Sequence, residues 1–411
     1  MKIGVVGAGA TGLFVAGLLK KSGFDVVVFD KNEKVGKKLF ITGKGRCNLT
    51  NLCQVDDFLK NVVRGEKFLR SALYGFSSFD CVDYFENLGL KTKVERGNRV
   101  FPESDKSSDV IKVLNENHCK GVKFNLCEGV KSVGFDEERQ KFVLVTDKDK
   151  YFFDKVVIAT GGKSYSATGS TGDGYKIAKM FGHEIVETRG ALCPIKVKDW
   201  FIKKLQGVPL KNVQLDVVAD GKRSGYFGEM LFTDEGISGP IVLTASSFIN
   251  RAQKIELSID FKPALTEKQL DLRLLRDFDE NKNKDLKNVL KGLLPKAVAD
   301  IFAKAIGLDE SKKINEITKA DREKIVGGLK NFKLHYSGLY DIETAIVTSG
   351  GVSLKEINPK TFESKLQSGL YFIGEVLDID ALTGGYNLQI AWATAYAMAN
   401  NLKKSFAVKE D

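Results

Sequence analysis

The first thirty residues constrain the fold more than any other part of the chain. An apolar run at residues 3–6 leads directly into the turn Gly-Ala-Gly-Ala-Thr-Gly at residues 7–12. An apolar helical stretch follows at 13–19, and a second apolar run, 26–29, ends in Asp30. Strand, glycine turn, helix, strand and acid, in this order, are typical of the βαβ unit that binds a dinucleotide.

Three glycines and one acid have distinct physical roles in such a unit. Gly7 lets the chain turn sharply, Gly9 leaves room for a pyrophosphate, and Gly12 lets the helix lie close to the strand. The helix N-terminus then presents unpaired N–H groups and a partial positive charge to the phosphates. Asp30 is placed to accept hydrogen bonds from a ribose. The alternative is a glycine-rich turn without a ligand, which the flanking strands and the terminal acid disfavour.

Length and composition limit the class of protein. A chain of 411 residues is expected to form two or three domains, and 43% hydrophobic with 28% charged residues is typical of a soluble globular protein. No apolar stretch is long enough to cross a bilayer, and no signal peptide is expected because the chain begins in a strand. The six cysteines form neither a CxxC pair nor a cluster with histidine. We therefore expect no disulfide framework, no metal site and a reducing, cytoplasmic environment.

The charge balance raises the question of a polyanionic partner. Lysine and arginine total 63 against 53 acidic residues, a formal net charge of +10. An excess of this kind favours phosphate contacts, as in nucleic-acid binding. The alternative is a solvated lysine-rich surface, because the lysines are scattered with only modest clusters at 203–211 and 282–291. Charge alone favours this second interpretation.

The hydrophobic pattern changes twice along the chain and then returns. Up to about residue 185, strand and helix patterns alternate, which predicts an α/β fold with a mostly parallel sheet. Short strands from 189 to 263 predict an antiparallel subdomain. Residues 265–330 are helical, beginning with the capping-box spacing of Thr266 and Gln269. A strand pattern returns at 331–340 and α/β character follows, with a turn expected at 348–351.

Later segments favour a flavin nucleotide over a nicotinamide nucleotide. The buried strand 156–158 runs into Ala-Thr-Gly-Gly at 159–162, which is expected to return beside the pyrophosphate. Near the C-terminus, a strand ends at Gly374-Glu375, and residues 384–389 open a long helix whose N-terminus can face the pyrimidine end of a flavin. The glycine-rich segment 169–174 does not complete a second fingerprint. One FAD is thus expected to be held permanently, with NAD(P)H visiting as a transient electron donor.

The glycine-rich motifs together resemble a known family, the bacterial BaiN-like flavoproteins, which are NAD(P)/FAD-dependent oxidoreductases. The matching segments are 36–39, 43–51, 159–165, 169–175, 228–233, 236–240, 348–352 and 374–389. The resemblance implies a Rossmann-like FAD-binding domain at 1–188 and 346–411, a β-barrel-like domain at 189–263 and 331–345, and a helical insert at 264–330. The helical insert matches least, so it indicates little about the substrate.

The pattern and the resemblance together predict the cofactor site. The resemblance places the loop 46–48 against the flavin and the backbone of Val130 against the adenine. The residues expected to bind FAD are Gly7, Gly9, Ala10, Thr11, Gly12, Asp30, Lys31, Lys38, Gly45, Arg46, Cys47, Asn48, Val130, Ala159, Thr160, Gly161, Gly162, Gly174, Gly374, Glu375, Gly385, Tyr386, Asn387, Leu388 and Gln389.

Three side chains are candidates for catalysis. Arg46, in a glycine-flanked loop, is expected to balance flavin or substrate charge, and the alternative is a surface arginine. Cys47 is either a proton donor to a substrate carbon or a small buried residue, and the second role is the more common. His335 is the best acid/base candidate, although packing in the β subdomain is the more common role. His183 is expected to be structural, and His118 to be exposed on a helix.

The predicted activity is hydride transfer from NAD(P)H through flavin N5 to an activated C=C bond. Members of the family are connected with reduction of bile-acid-type enones, with oxidation of amines such as aminoacetone, and with dihydrouridine formation in ribosomal RNA. The net charge of +10 places ribosomal RNA first among these substrates. A non-catalytic protein that binds flavin or RNA is the remaining alternative. The sequence leaves the oligomeric state open.

Overall fold

The computed structural model describes residues 1–407 and divides the chain into two compact units. The first unit comprises Met1–Ala191 and Ile342–Asp411, and the second comprises Leu192–Asp341. The last four residues of the predicted nucleotide-binding domain, 408–411, lie outside the described residues. The second unit therefore interrupts the first, between residues 191 and 342 of the sequence.

A parallel sheet forms the centre of the first unit. Its five strands lie in the order Leu370–Phe372, Lys155–Ile158, Lys2–Val6, Asp25–Phe29 and Lys123–Asn125. Every neighbouring pair is parallel. The inner strands are buried along almost their whole length, which explains why they read as continuous apolar runs rather than alternating patterns. The α/β class with a Rossmann-type sheet is confirmed.

Smaller antiparallel sheets and helices surround this centre. The sheets pair Val130–Asp136, Lys141–Thr146 and Lys150–Phe153; Thr50–Asn51, Arg99–Pro102 and Thr92–Glu95; Ile185–Ala191 and Val347–Val352; Val62–Arg64 and Asp380–Ala381. The α-helices are Ala10–Lys21, Lys37–Ile41, Val55–Leu59, Glu66–Gly75, Ser78–Asn87, Ser107–Lys112, Asp173–Met180 and Tyr386–Ala407. No helix within residues 1–407 is long and apolar enough to cross a bilayer.

The turn expected at residues 348–351 is wrong, because these residues lie inside the buried strand Val347–Val352. Gly350 and Gly351 have φ angles of +94° and +141°. A Cβ at Gly350 would lie 2.2 Å from the carbonyl oxygen of Glu187 on the paired strand. The two glycines therefore permit close approach of neighbouring backbone, a use that the sequence pattern does not separate from a turn.

A curled antiparallel sheet forms the second unit. Its strands lie in the order Phe332–Leu334, Ile255–Asp260, Pro209–Ala219, Lys222–Phe232, Gly236–Ser238, Ile195–Val197 and Tyr336–Leu339. The first and last strands of this order are separated in sequence only by His335. Because two consecutive Cα–Cα steps span at most about 7 Å, the adjoining ends of these two edge strands lie close together. The barrel-like form of this domain stays a prediction.

The helices of the second unit share the core of its sheet. They are Ile202–Leu205, Pro240–Ile249, Glu267–Asp279, Leu286–Leu290, Lys296–Ala305 and Lys319–Lys330. The predicted capping box is confirmed: Thr266 accepts from the backbone of Gln269, whose side chain accepts from Thr266 in return. One apolar cluster extends from strand residues such as Leu215 to helix residues such as Leu274 and Phe302. The separation of 264–330 as a third domain stays a prediction.

The expectation that His118 is exposed is wrong, since the side chain is buried in the first unit. Its Nε2 lies 2.8 Å from the carbonyl oxygen of Phe14, and its Nδ1 lies 3.1 Å from the hydroxyl of Tyr84. This pairing fits a neutral ring that donates from Nε2 and accepts at Nδ1. Burial lowers the pKa of His118 to about 4.

This buried histidine predicts acid-sensitive stability. Between about pH 6.5 and 4 the unfolded chain binds the proton and the folded chain does not, so the free energy of unfolding falls as the pH falls, by about 1 kcal/mol per pH unit. We expect His118→Gln to lose this slope, as measured by urea unfolding across the same window. An unchanged slope in the variant would assign the acid sensitivity to other groups.

Candidate dinucleotide-binding site

The N-terminal glycine turn leaves an open space at the start of the first helix. Gly7 has a φ of +106° and donates its N–H to the carbonyl of Phe29 over 2.8 Å. A Cβ at Gly12 would lie 1.8 Å from the carbonyl oxygen of Gly7, so packing alone requires glycine there. A Cβ at Gly9 would meet nothing within 4 Å. The space in front of the N–H groups that begin Ala10–Lys21 is the space that a pyrophosphate needs.

Asp30 braces this turn from the end of the second strand. Its Oδ2 accepts from the N–H of Ala8 over 2.7 Å, and its Oδ1 accepts from the N–H of Asn32 over 2.8 Å. The neighbouring Lys31 pairs with Asp173 at 2.6 Å. Val130 begins a strand directly after Gly129, where a Cβ would lie 3.3 Å from that of Lys31. Asp30, predicted to bind the ribose, and Val130, predicted to contact the adenine, thus lie close together after the second strand.

The returning strand contributes a polar atom without a partner. Ala159 donates its N–H to Val6 over 2.9 Å, which brings residues 159–162 beside the glycine turn. The Oγ1 of Thr160 is buried and has no hydrogen-bond partner among the described residues. Gly161 has a φ of +71°. A Cβ would come within 2.4 Å of another segment at each of Gly162, Gly174, Gly374 and Gly385.

A partly buried ion pair connects the early helix Lys37–Ile41 to the late turn Gly374–Val376. Lys38 Nζ lies 2.8 Å from Glu375 Oε2 and donates to Ser164 Oγ over 2.7 Å. Glu375 Oε1 also accepts from the N–H of Thr348 over 3.0 Å. Lys38, Ser164 and Thr348, which are far apart in sequence, therefore meet at the carboxylate of Glu375. Gly374 lies directly above Thr11 of the first helix, which a Cβ on Gly374 would contact at 2.4 Å.

Arg46 is held by acids rather than left free. Its guanidinium donates to Asp105 over 2.8 Å from Nε, forms an ion pair with Glu95, and lies 4.1 Å from the ring centre of Phe101. Its charge is thus neutralised by two carboxylates in this structure. The predicted role of Arg46 in balancing flavin or substrate charge stays a prediction.

Cys47 and Asn48 follow in a strained loop. Cys47 has a φ of +59° and is completely buried, and burial raises the pKa of its thiol to about 12. The Oδ1 of Asn48 is buried without a partner among residues 1–407, and a Cβ on Gly45 would meet nothing within 4 Å. The loop therefore offers open space and an unpaired acceptor at the position predicted to face the flavin.

Residues 385–389 begin the long C-terminal helix and have protein partners of their own. Tyr386 packs edge-to-face on Phe58 at 4.9 Å. Asn387 donates to the carbonyl of Ala381 over 2.7 Å and accepts from its N–H over 3.0 Å. Gln389 is buried, accepts from Thr50 and donates to the carbonyl of Phe76. Leu388 is partly buried against the core. Their contacts with FAD stay predictions.

His335 lies in the second unit and its side chain is exposed. Its Nδ1 lies 2.6 Å from Asp199 Oδ1, and its backbone N–H donates to Asp199 Oδ2 over 2.8 Å. The carboxylate orients the ring, so Nε2 is the nitrogen left for other partners. Its acid/base role stays a prediction.

His183 has a geometry that resembles a nucleophile triad but is closed to substrates. Its Nδ1 lies 3.1 Å from Glu356 and its Nε2 lies 2.8 Å from Ser364 Oγ. Both His183 and Ser364 are buried, and the serine oxygen already accepts from two backbone N–H groups, those of Leu366 and Gln367. The arrangement fixes the loop around residue 364, in keeping with the structural role predicted for His183.

Ser164 and Thr348 are site residues that the prediction omitted. Thr348 Oγ1 accepts from the N–H of Lys163 over 2.8 Å and from that of Ser164 over 3.1 Å. Both residues lie in the glycine-rich segments 159–165 and 348–352. A hydroxyl residue close to paired glycines is the signal that the sequence offers, but it does not reveal which distant groups the hydroxyl joins.

The glycine turn, the returning strand and the late-chain segment define a Rossmann-type nucleotide-binding enzyme. The chain belongs to the family of the HI0933-like protein Rossmann domain, whose model matches residues 1–401. It is accordingly an FAD-dependent oxidoreductase. The open space at Gly9 and the unpaired atoms of Thr160 and Asn48 fit this cofactor. No group of three or more His, Cys, Asp or Glu side chains within residues 1–407 is arranged to hold a metal ion.

Curated relatives match the chain from end to end. It is 32% identical over 406 residues to the ribosomal RNA dihydrouridine synthase of Haemophilus influenzae, covering 97% of this chain and 98% of that protein. The enzyme of the same name from Escherichia coli is 32% identical over 401 residues, 97% of each chain. The 3-dehydro-bile acid delta(4,6)-reductase of Clostridium scindens is 31% identical over 403 residues, 96% of this chain and 97% of that protein.

Solved structures share the fold at lower identity. An open flavocytochrome c3 fumarate reductase matches with a TM-score of 0.54 and 18% identity, over 98% of this chain and 78% of that chain. The 3-ketosteroid-delta4-(5alpha)-dehydrogenase of Rhodococcus jostii matches with a TM-score of 0.51 and 13% identity, over 97% of this chain and 96% of that chain. At this identity the likeness extends to the fold alone.

A single methyl group tests the space at Gly9. Gly9 has ordinary dihedral angles for any residue, a φ of −78° and a ψ of −169°, and its Cβ would meet no protein atom within 4 Å. We expect Gly9→Ala to fold with a free energy of unfolding within about 1 kcal/mol of the parent, but to lose most of its FAD, measured as flavin absorbance per mole of protein. Gly134→Ala, also in open space, is the matched control and keeps full flavin content.

Cys47 allows its two predicted roles to be separated. Because the thiol is completely buried, we expect Cys47→Ala to reduce substrate turnover less than about threefold and to destabilise the protein by about 1 kcal/mol. Cys81→Ala, at a second fully buried cysteine of the same core, serves as the control for packing loss. A hundredfold loss of turnover with unchanged flavin content, seen only at Cys47, would establish the proton-donor role.

Proposed function

We propose that this protein reduces a uridine of ribosomal RNA to dihydrouridine with NAD(P)H as the electron donor. The reaction balances as NAD(P)H, a proton and uridine giving NAD(P)⁺ and 5,6-dihydrouridine. Bound FAD supplies the two-electron chemistry, hydride uptake from the nicotinamide and hydride delivery to an activated C=C bond. The family and the full-length match to two ribosomal RNA dihydrouridine synthases support this activity.

Net charge is the observation that favours RNA over a steroid-like substrate. Identity does not choose between them, because the bile acid reductase is 31% identical and the two synthases are 32% identical to this chain. An excess of ten positive charges favours a polyanion. A bile-acid-type enone is a single small molecule and gains little from a charge spread over the protein surface.

The protein's own groups would hold and orient the cofactor. The N–H groups at the start of Ala10–Lys21 would bind the pyrophosphate, with Asp30 fixing the turn. The ion pair of Lys38 and Glu375 would hold the late-chain turn against the returning strand. The N-terminus of Tyr386–Ala407 would offer positive potential to a developing negative charge.

Nucleoside analysis tests the proposed activity directly. Ribosomal RNA transcribed in vitro contains only the four standard nucleosides, so any dihydrouridine formed with the purified flavoprotein and NADH or NADPH comes from this reaction. We expect dihydrouridine, detected by mass spectrometry, in proportion to nicotinamide oxidised. Reduction of a 3-oxo bile acid enone without any reduction of RNA would instead assign the second candidate function, which the Clostridium scindens relative favours. Hydrogen peroxide released from amines in air would assign an amine oxidase.

Salt distinguishes a polyanionic substrate from a neutral one. We expect kcat/KM for RNA to fall at least tenfold between about 50 and 200 mM salt, because phosphate contacts release counterions. Nicotinamide oxidation with a small neutral quinone as acceptor serves as the control and stays within about twofold. Equal salt dependence of both reactions would contradict phosphate contacts with RNA.

A further inference from the structure

The second unit carries a half-exposed tryptophan, Trp200, that has lysines as neighbours. The chain has two tryptophans: Trp392 is completely buried, whereas Trp200 is 49% exposed. Trp200 contacts Phe201 edge-to-face at 5.6 Å, so one side of the indole is anchored in the core. Phe227 and Phe248 of the same unit are exposed as well, so exposure alone does not distinguish Trp200; its lysine neighbours and the adjoining cavity do.

Two lysines lie over the ring of Trp200. The Nζ of Lys204 is 5.1 Å and the Nζ of Lys304 is 5.2 Å from the ring centre. Lys204 belongs to the short helix Ile202–Leu205 and Lys304 to the helix Lys296–Ala305, so two separate elements deliver these cations. Like charges around one ring repel each other, and a nearby anion would relieve that repulsion.

The acidic groups beside Trp200 already have cationic or hydroxyl partners. Asp199 accepts from His335 at 2.6 Å, Glu235 pairs with Lys196 at 3.1 Å, and Asp234 accepts from a tyrosine hydroxyl at 3.2 Å. Within residues 1–407, no carboxylate lies within ion-pair distance of Lys198, Lys203, Lys204 or Lys304. The cationic groups on this face are therefore available to an external anion.

An open cavity of about 470 Å³ lies against the same ring. Trp200, Lys198 and Lys203 are among its lining residues, and so are Asp199, Asp234 and Glu235, the acids whose partners are given above. A half-exposed aromatic ring, a cavity of this size and lysines without carboxylate partners are features with which proteins bind single-stranded nucleic acid, through base stacking and phosphate contacts. Stacking on this ring requires Lys204 or Lys304 to leave the ring for a phosphate.

We propose that Trp200 is a stacking platform for an unpaired base of the RNA substrate, with Lys198, Lys203, Lys204 and Lys304 contacting the adjoining phosphates. We call these five residues the Trp200 surface. The proposal rests on the proposed function, because it assigns a binding surface to that RNA. It lies entirely within the second unit. An acidic peptide would also meet the lysines, but it would gain nothing comparable from the flat ring.

Fluorescence of the holoenzyme tests the proposal without turnover. Because Trp392 is buried, quenching of tryptophan emission by a single-stranded RNA of about twelve nucleotides reports on Trp200. We expect strong quenching by RNA in the parent protein, none in Trp200→Phe, and little with inorganic polyphosphate, which has charge but no bases. Equal quenching by polyphosphate, or displacement of the RNA by poly-glutamate at equal charge concentration, would overturn the stacking role.

Variants separate stacking from charge. We expect Trp200→Ala to weaken RNA affinity about tenfold, and Trp200→Phe to stay within about threefold of the parent. Phe227→Ala, at a 63% exposed aromatic of the same unit, is the matched control and leaves affinity unchanged. The double variant Lys203→Gln and Lys204→Gln should lower the salt dependence of binding by about two counterions. Parental affinity in Trp200→Ala would overturn the proposal.

The two proposals fail in different ways. RNA binding that depends on Trp200, in a protein that forms no dihydrouridine, would refute the proposed function and retain the Trp200 surface. Dihydrouridine formation at parental kcat/KM in Trp200→Ala would refute the Trp200 surface and retain the function. Unchanged flavin content in every variant verifies that the first unit is intact.

Discussion

The close approach of backbone to backbone at the N-terminal turn is the constraint on which the rest of the first unit depends. The carbonyl oxygen of Gly7 occupies the place where a Cβ of residue 12 would lie, 1.8 Å away. That contact fixes the axis of the first helix relative to the central strand and aims its N–H groups into open space. Residues 159–162 pass beside Gly7, and Gly374 lies on Thr11. The site therefore depends on three chain segments meeting with almost no side-chain volume between them.

An ion pair and hydrogen bonds at Glu375 hold further segments of the first unit together. The carboxylate of Glu375 receives Lys38, Ser164 and the backbone of Thr348. Several donors reach this partly buried carboxylate at once, which compensates for the water that it loses. The same network holds the loop from 159 to 165 and the strand Val347–Val352 in one position. The side-chain oxygens of Thr160 and Asn48, by contrast, are buried without a partner among the described residues and lie in the predicted FAD site.

The second unit is built on an antiparallel sheet instead of a parallel one. The two edge strands of its sheet are joined through His335 alone, so their adjoining ends lie close together. Its helices pack into the same core as the sheet. Trp200 and its lysines lie on the surface of this unit rather than in the core.

The local pattern of residues by itself determined the parallel sheet, the glycine turn, the helical capping box and the place where the chain leaves the first fold and returns to it. These features follow from neighbours in sequence, since periodicity and glycine spacing act over a few residues. Only the tertiary structure decided that Gly350 and Gly351 lie in a buried strand, that His118 is buried, that Arg46 is paired with two acids, and that Lys204 and Lys304 meet at Trp200. Each of these outcomes depends on contacts between residues far apart along the chain, and hydrophobic pattern carries no information on which distant partner fills a given space.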